Sequence, residues 1–142
     1  MSYRYPADLL IEPDGVTVTF QGLAGVTSGE TVEEALGHAE DLLATIIANA
    51  IEEDADLPTP PAAKGRPLVD LPADTALKLE LNRAFKMSGL TRAELAERLG
   101  WHHPQVIRLL DPWHHSRIDQ VVKALRALGK RLDIRLEEAA TA

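Results

Sequence analysis

Val16, Val18 and Phe20 alternate with Thr17, Thr19 and Gln21. That period of two predicts a strand with one buried face. Upstream, YRYPADLLI over Tyr3–Ile11 mixes aromatic and aliphatic positions with polar ones and predicts a partner strand. Pro6 lacks an amide donor and predicts an edge location for it. Glu12-Pro13-Asp14-Gly15 between the two runs is a turn signal, so they should form a hairpin. GLAGVTSG follows, with a short third strand expected around Val26-Thr27. The period then lengthens. Val32, Ala35, Leu36, Ala39, Leu42, Leu43, Ile46, Ile47 and Ala50 fall on one face of a helix of about six turns. Thr31, with Glu34 three places on, predicts a capping box at its start. Gly37 costs helix stability and suggests close packing against a strand.

A proline- and alanine-rich linker, DADLPTPPAAKGR, leads to PLVDL over 67–71, a short strand that can return to the first sheet. Helical periodicity resumes at Thr75–Met87, with Leu77, Leu81, Ala84 and Phe85 inward. Thr91 and Glu94 predict a second capping box, opening a helix whose apolar side is Leu95, Ala96 and Leu99. Gly100 permits a sharp turn and Trp101 fills it. His102-His103-Pro104 then open a third helix with Val106, Leu109 and Leu110 inward. Trp113 is expected to pack against this bundle. Ile118–Leu128 predicts a further helix, stopped by Gly129. Leu132–Leu136 alternates as a strand, expected to pair with a second subunit or to return to the first sheet. The fold class is therefore α+β: a small antiparallel sheet with one long covering helix, then an all-α unit ending in a short strand.

Charge divides the chain where the pattern does. Residues 1–63 carry one basic and twelve acidic side chains, a net of −11, while residues 64–142 carry fourteen basic and ten acidic, a net of +4. The whole-chain value of −7 hides this split. An acidic surface attracts cationic partners and a basic one attracts nucleic acid. The 142 residues contain no cysteine, which removes disulfides and thiolate chemistry. With no membrane-length apolar run and no secretion signal, a cytoplasmic protein is expected.

The segment from Ala96 through Gly100 to Val106 and Leu109 has helix-turn-helix spacing. Such a pair projects the start of its second helix toward a major groove. The exposed candidates there are His102, His103, Gln105 and Arg108. Gln105 suits adenine, and Arg108 suits guanine or a phosphate. Lys86, Arg92, Arg98 and Arg117 are candidate phosphate contacts. A three-helix bundle that binds only protein would show the same periodicity. The pairs His102-His103 and His114-His115 have no standard zinc spacing. Asp8, Glu12 and Asp14 could hold magnesium for phosphodiester hydrolysis, yet nothing catalytic accompanies them. His38 reads as a surface residue. No metal, cofactor or enzymatic activity is expected.

Two stretches carry a family resemblance: YPADLLIEPDGVTVTFQGLAGVTSGETVEEAL in front, and LPADTALKLELNRAFKMSGLTRAELAERLG with VIRLLDP and ALRALGKRLDI behind. In them the chain resembles the HicB family of type II antitoxins, in its helix-turn-helix variant. The resemblance implies a front domain, residues 1–56, with a degenerate RNase H-like fold that lacks catalysis. It would bind HicA, a small basic ribonuclease that cleaves mRNA using a histidine. Asp8, Glu12, Asp14, Glu33, Glu40 and Asp41 would supply the negative surface for it. A linker, 57–72, would join this domain to a DNA-binding and dimerisation domain, 73–136, before a tail, 137–142. The second domain would repress the toxin–antitoxin operon by binding operator DNA as a homodimer, or a tetramer of paired dimers. Trp101, His102-His103 and Ile107 stand where members often carry Val, Ser-Arg and Ser. The alternative is a stand-alone helix-turn-helix regulator whose front domain senses a ligand or a protein.

Overall fold

A computed structural model describes residues 3–139. The chain runs β1 (Arg4–Glu12), β2 (Gly15–Phe20), β3 (Leu23–Gly29), α1 (Val32–Glu52), β4 (Leu68–Asp70), α2 (Ala73–Ser88), α3 (Arg92–Leu99), α4 (His103–Leu110) and α5 (Ile118–Ala127). The sheet is antiparallel, in the order β3-β2-β1-β4. PLVDL does return to it: Arg4, Tyr5 and Pro6 pair with Asp70, Val69 and Leu68.

That return corrects the edge location expected for Pro6, because β1 lies inside the sheet. The strand divides its length between two neighbours. Its ladder with β2 runs from Ala7 to Glu12, so Pro6 stands one residue beyond that ladder's end. A proline is tolerated where no ladder bond asks for its missing amide.

Ala7, Val16, Val18 and Phe20 turn one sheet face toward α1, where they meet Ala35, Ala39, Leu43 and Ile47. Leu43 and Ile47 are fully buried. Each contributes about 1.5–3 kcal/mol of burial free energy. Thr31 caps α1 by accepting from the Glu34 amide at 3.1 Å. The close approach of helix to strand is at Gly29, not at Gly37. A Cβ on Gly29 would lie 2.6 Å from the Ala35 nitrogen, whereas one on Gly37 would meet nothing within 4 Å. His38 helps fix this corner, with its Nδ1 2.8 Å from the Ser28 carbonyl oxygen.

A second core gathers Leu81, Ala84, Leu95, Ala96, Val106, Leu109, Leu110, Val121, Ala124 and Leu125 from α2–α5. Helix α2 serves both cores, with Leu79 buried in the first and Leu81 in the second. The expected strand at Leu132–Leu136 is absent: residues 130–139 have neither helix nor strand. Ile134 and Leu136 are exposed, at 70% and 97%. A strand needs a ladder partner, and within one chain this segment has none; Arg4 instead ties it down through Glu137 at 3.0 Å. Among the described residues, no helix is long and apolar enough to cross a membrane.

Candidate functional site

Helices α3 and α4 are each eight residues long and joined by a three-residue turn. Thr91 Oγ1 accepts from the Glu94 amide at 3.1 Å, and Glu94 Oε1 accepts from the Thr91 amide at 3.2 Å, the reciprocal box predicted. Gly100 closes α3 at φ +68°, a conformation that a side chain would disfavour. The chain then doubles back, with the Trp101 amide donating to the Ala96 carbonyl at 2.9 Å. Trp101 is half-buried against the second core.

Helix α4 has no Ser or Thr at its start, but Gln105 makes the return half of a capping box. Its Oε1 takes the His102 amide proton at 2.8 Å. This bond satisfies an otherwise orphaned donor at the helix N-terminus. It also engages the oxygen that a bidentate adenine contact would need. His102, His103 and Arg108 are exposed on the same helix, whose other side buries Val106, Leu109 and Leu110. Ile107 shares the open face at 49% exposure.

The other candidate cations are dispersed and largely engaged. Arg92 lies over the Phe85 ring at 5.7 Å. Arg98 reaches toward the Ala127 carbonyl, at 3.5 Å. Arg117 pairs with Asp119 at 3.1 Å. Lys86 pairs with Asp54 at 2.8 Å, and the carboxylate raises the Lys86 pKa by hydrogen bond and charge together. Trp113 does not pack into the bundle as expected. It is 52% exposed, and its indole N–H donates to Glu52 at the end of α1. The loop carrying it turns back toward the front unit.

Sequence reasoning missed the group that fixes α4. Lys78 of α2 is buried, and its ammonium donates to the Leu109 carbonyl at 2.6 Å and to Ser116 Oγ at 2.7 Å. A longer contact reaches the Arg108 carbonyl at 3.4 Å. One turn on, Asn82 donates to the Leu110 carbonyl at 3.0 Å. Together they satisfy carbonyls of the last α4 turn, and the ammonium sits at the negative end of the helix dipole. The signal was there to find: a lysine between Leu77 and Leu79, with an asparagine four residues later, on a helix otherwise apolar inward.

Burial lowers the Lys78 pKa from 10.5 to about 8, against an opposing pull from Asp111. Folding therefore releases a proton between these two values. Above pH 8 the unfolded chain holds the proton that the native state has lost, so this group's contribution to stability rises with pH up to about 10.5. Tyr3 and Tyr5, raised mainly by burial, act in the opposite sense as pH climbs through 10. Thermal melts at pH 7 and 9.5, below the tyrosine window, should show the native protein gaining on Lys78→Met as pH rises. A constant difference would contradict the lowered pKa.

The front carboxylates do not form one patch. Asp8 lies on the sheet face away from α1, in register with Thr19, and pairs with Arg66 at 3.1 Å. Glu12 and Asp14 join Glu30 and Glu34 around a groove of about 410 Å³ at one end of the sheet. Glu33, Glu40 and Asp41 are exposed on α1. Among the described residues, no group of three or more His, Asp or Glu side chains could hold a metal ion.

Comparison with known proteins agrees with this architecture. A family model described as a HicB-like antitoxin of bacterial toxin–antitoxin systems matches residues 4–80. Antitoxin HicB of Pseudomonas fluorescens (strain Pf0-1) is 36% identical over 140 residues, covering 96% of each chain. Antitoxin HicB 2 of Photorhabdus laumondii is 35% identical over 92% of this chain and 94% of its own length. For Antitoxin HicB of Escherichia coli (strain K12) the figures are 36%, 92% and 97%. With a sheet-and-helix front unit and near full-length similarity to these proteins, the chain belongs to the HicB antitoxin family.

Proposed function

We propose that the chain is a bifunctional antitoxin of the cytoplasm. Its front unit binds and neutralises a small basic mRNA-cleaving ribonuclease of the HicA type. Helices α3 and α4 act as a helix-turn-helix that binds operator DNA and represses the operon that encodes both proteins. The chain works as a homodimer, with its exposed Leu132–Leu136 segment as the candidate pairing element. The observation that supports the DNA half is the two-sided α4. Val106, Leu109 and Leu110 are buried, while His102, His103 and Arg108 face solvent. A helix start presented this way fits a major groove.

The toxin half is supported by family membership and by the negative charge of residues 1–63. Glu12, Asp14, Glu30 and Glu34 gather around one groove of that surface, with α1 carrying Glu33, Glu40 and Asp41 further along. Since Asp8 already holds Arg66, it contributes less to a cationic partner than the others. A ligand-sensing front domain would want an apolar pocket, whereas this groove is lined by carboxylates, glycines, Thr17 and Ser28, with Val16 its one large apolar residue.

The test is an RNA-cleavage assay with the cognate toxin. Added antitoxin should abolish cleavage, and Glu12→Lys/Asp14→Lys should weaken inhibition by tenfold or more while leaving operator affinity unlowered. Full inhibition by that variant would remove the hairpin carboxylates from the interface. Failure of the native chain to inhibit would remove the toxin reading itself.

A further inference from the structure

The acidic end of α1 is built against local preference. Glu52, Glu53 and Asp54 crowd the negative pole of the helix dipole, and the last turn holds no basic residue. Asp54 adopts φ +52°, the left-handed region where glycine is the default after a helix. Two contacts offset these penalties, and both reach into the C-terminal unit. Asp54 holds the Lys86 ammonium at 2.8 Å, and Glu52 accepts the indole N–H of Trp113. Lys86 ends α2, and Trp113 sits in the loop that leaves α4. The turn's main chain is satisfied locally, with the Ala55 amide donating to the Ala50 carbonyl at 2.9 Å, but the Glu52 and Asp54 carboxylates find their partners across the boundary between the units, a departure from local preference of the kind that gathers at functional sites.

We propose that the Glu52–Trp113 and Asp54–Lys86 contacts form an autoinhibitory latch, in which the acidic end of α1 occupies positions that a DNA backbone would otherwise take. The latch rests on the reading of the C-terminal helices as a DNA-binding unit. A carboxylate on Lys86 stands in for a phosphate, and the hold on Trp113 fixes the loop between α4 and α5. Both contacts are exposed, so each is weak and screened by salt. Weakness suits a latch that a polyanion must displace.

The test uses the full chain and a short mixed-sequence DNA duplex. The indole N–H resonance of Trp113 is followed by NMR, and duplex affinity is titrated at low salt. Glu52→Gln/Asp54→Asn should move the resonance to the position that the native protein reaches only at high salt. It should also tighten duplex binding by about two- to fivefold, the range open to a surface ion pair. Its log–log salt dependence should steepen by about one unit as Lys86 becomes available to a phosphate. Glu53→Gln makes a one-charge change beside Asp54 without touching Lys86 or Trp113, and should do much less than Asp54→Asn. An unmoved resonance means the contact does not form, and overturns the latch. A moved resonance with unchanged affinity, or equal effects of Glu53→Gln and Asp54→Asn, overturns the inhibition. Absence of duplex binding by native and variant protein alike is a different result, which removes the DNA reading and the inhibition with it.

Discussion

Arg108→Ala should weaken operator binding by about 1–3 kcal/mol, a five- to 150-fold loss, if the guanidinium reads a base. Its side chain is exposed on α4, and its neighbours Val106 and Leu109 anchor the helix without its help. Truncation therefore removes a contact to DNA and not a support of the fold. A phosphate contact would behave differently, weakening all duplexes alike and lowering the salt slope by about one unit. Gel-shift titration of operator and scrambled duplexes, at several salt concentrations, separates the two. Inhibition of the toxin should be untouched, because Arg108 is far along the chain from the front carboxylates and lies on a helix that packs into the other core. Unaltered operator affinity would remove Arg108 from the interface.

Lys78→Met should lower stability by about 1–3 kcal/mol, the range for leaving buried polar groups without partners. The substitution keeps the length and apolar stem of the side chain, so little packing is lost. What disappears is the donor to the Leu109 carbonyl, to Ser116 and, more distantly, to the Arg108 carbonyl. For a chain of this size the melting temperature should fall by about 3–10 °C. Operator affinity should fall as well, since the last turn of α4 loses its cap and the loop through Ser116 loses its tie. Toxin inhibition should persist at temperatures where the front unit remains folded. A melt indistinguishable from the native one would show that desolvating the ammonium costs as much as its hydrogen bonds return.

Much of the fold was legible because local rules and tertiary demands agreed. The alternation at Val16, Val18 and Phe20 places those side chains on one buried face. Thr31 caps α1 and Thr91 caps α3, because a hydroxyl before an acidic first turn satisfies amides that any helix leaves open. The outward character of His102, His103 and Arg108 followed from the periodicity of the apolar residues between and beyond them. The return of Leu68–Asp70 to β1 was one of the options that its short alternating run allowed.

The inferences that failed were ones that needed a distant neighbour. Pro6 argued for an edge, yet a strand can change partners along its length and spare one amide. Gly37 drew attention as a helix glycine, while Gly29 was where helix and strand meet. Trp113 looked like core and instead reaches Glu52, sixty-one residues away in the chain. Leu132–Leu136 alternates like a strand, but it does not return to the first sheet, and alternation supplies no ladder partner within one chain.

Sequence alone determined most of the elements, the caps of α1 and α3, the inward faces of the helices and the separation of an acidic half from a basic one. These depend on periods of two and 3.6 residues and on charge counts, which are properties of short stretches. Only the tertiary structure decided that Lys78 caps α4, that Gln105 is drawn back onto the His102 amide, that Arg66 claims Asp8 and that Asp54 claims Lys86. Buried or paired polar groups are satisfied by whatever the packing brings near them, and packing is a relation between segments that no single stretch contains.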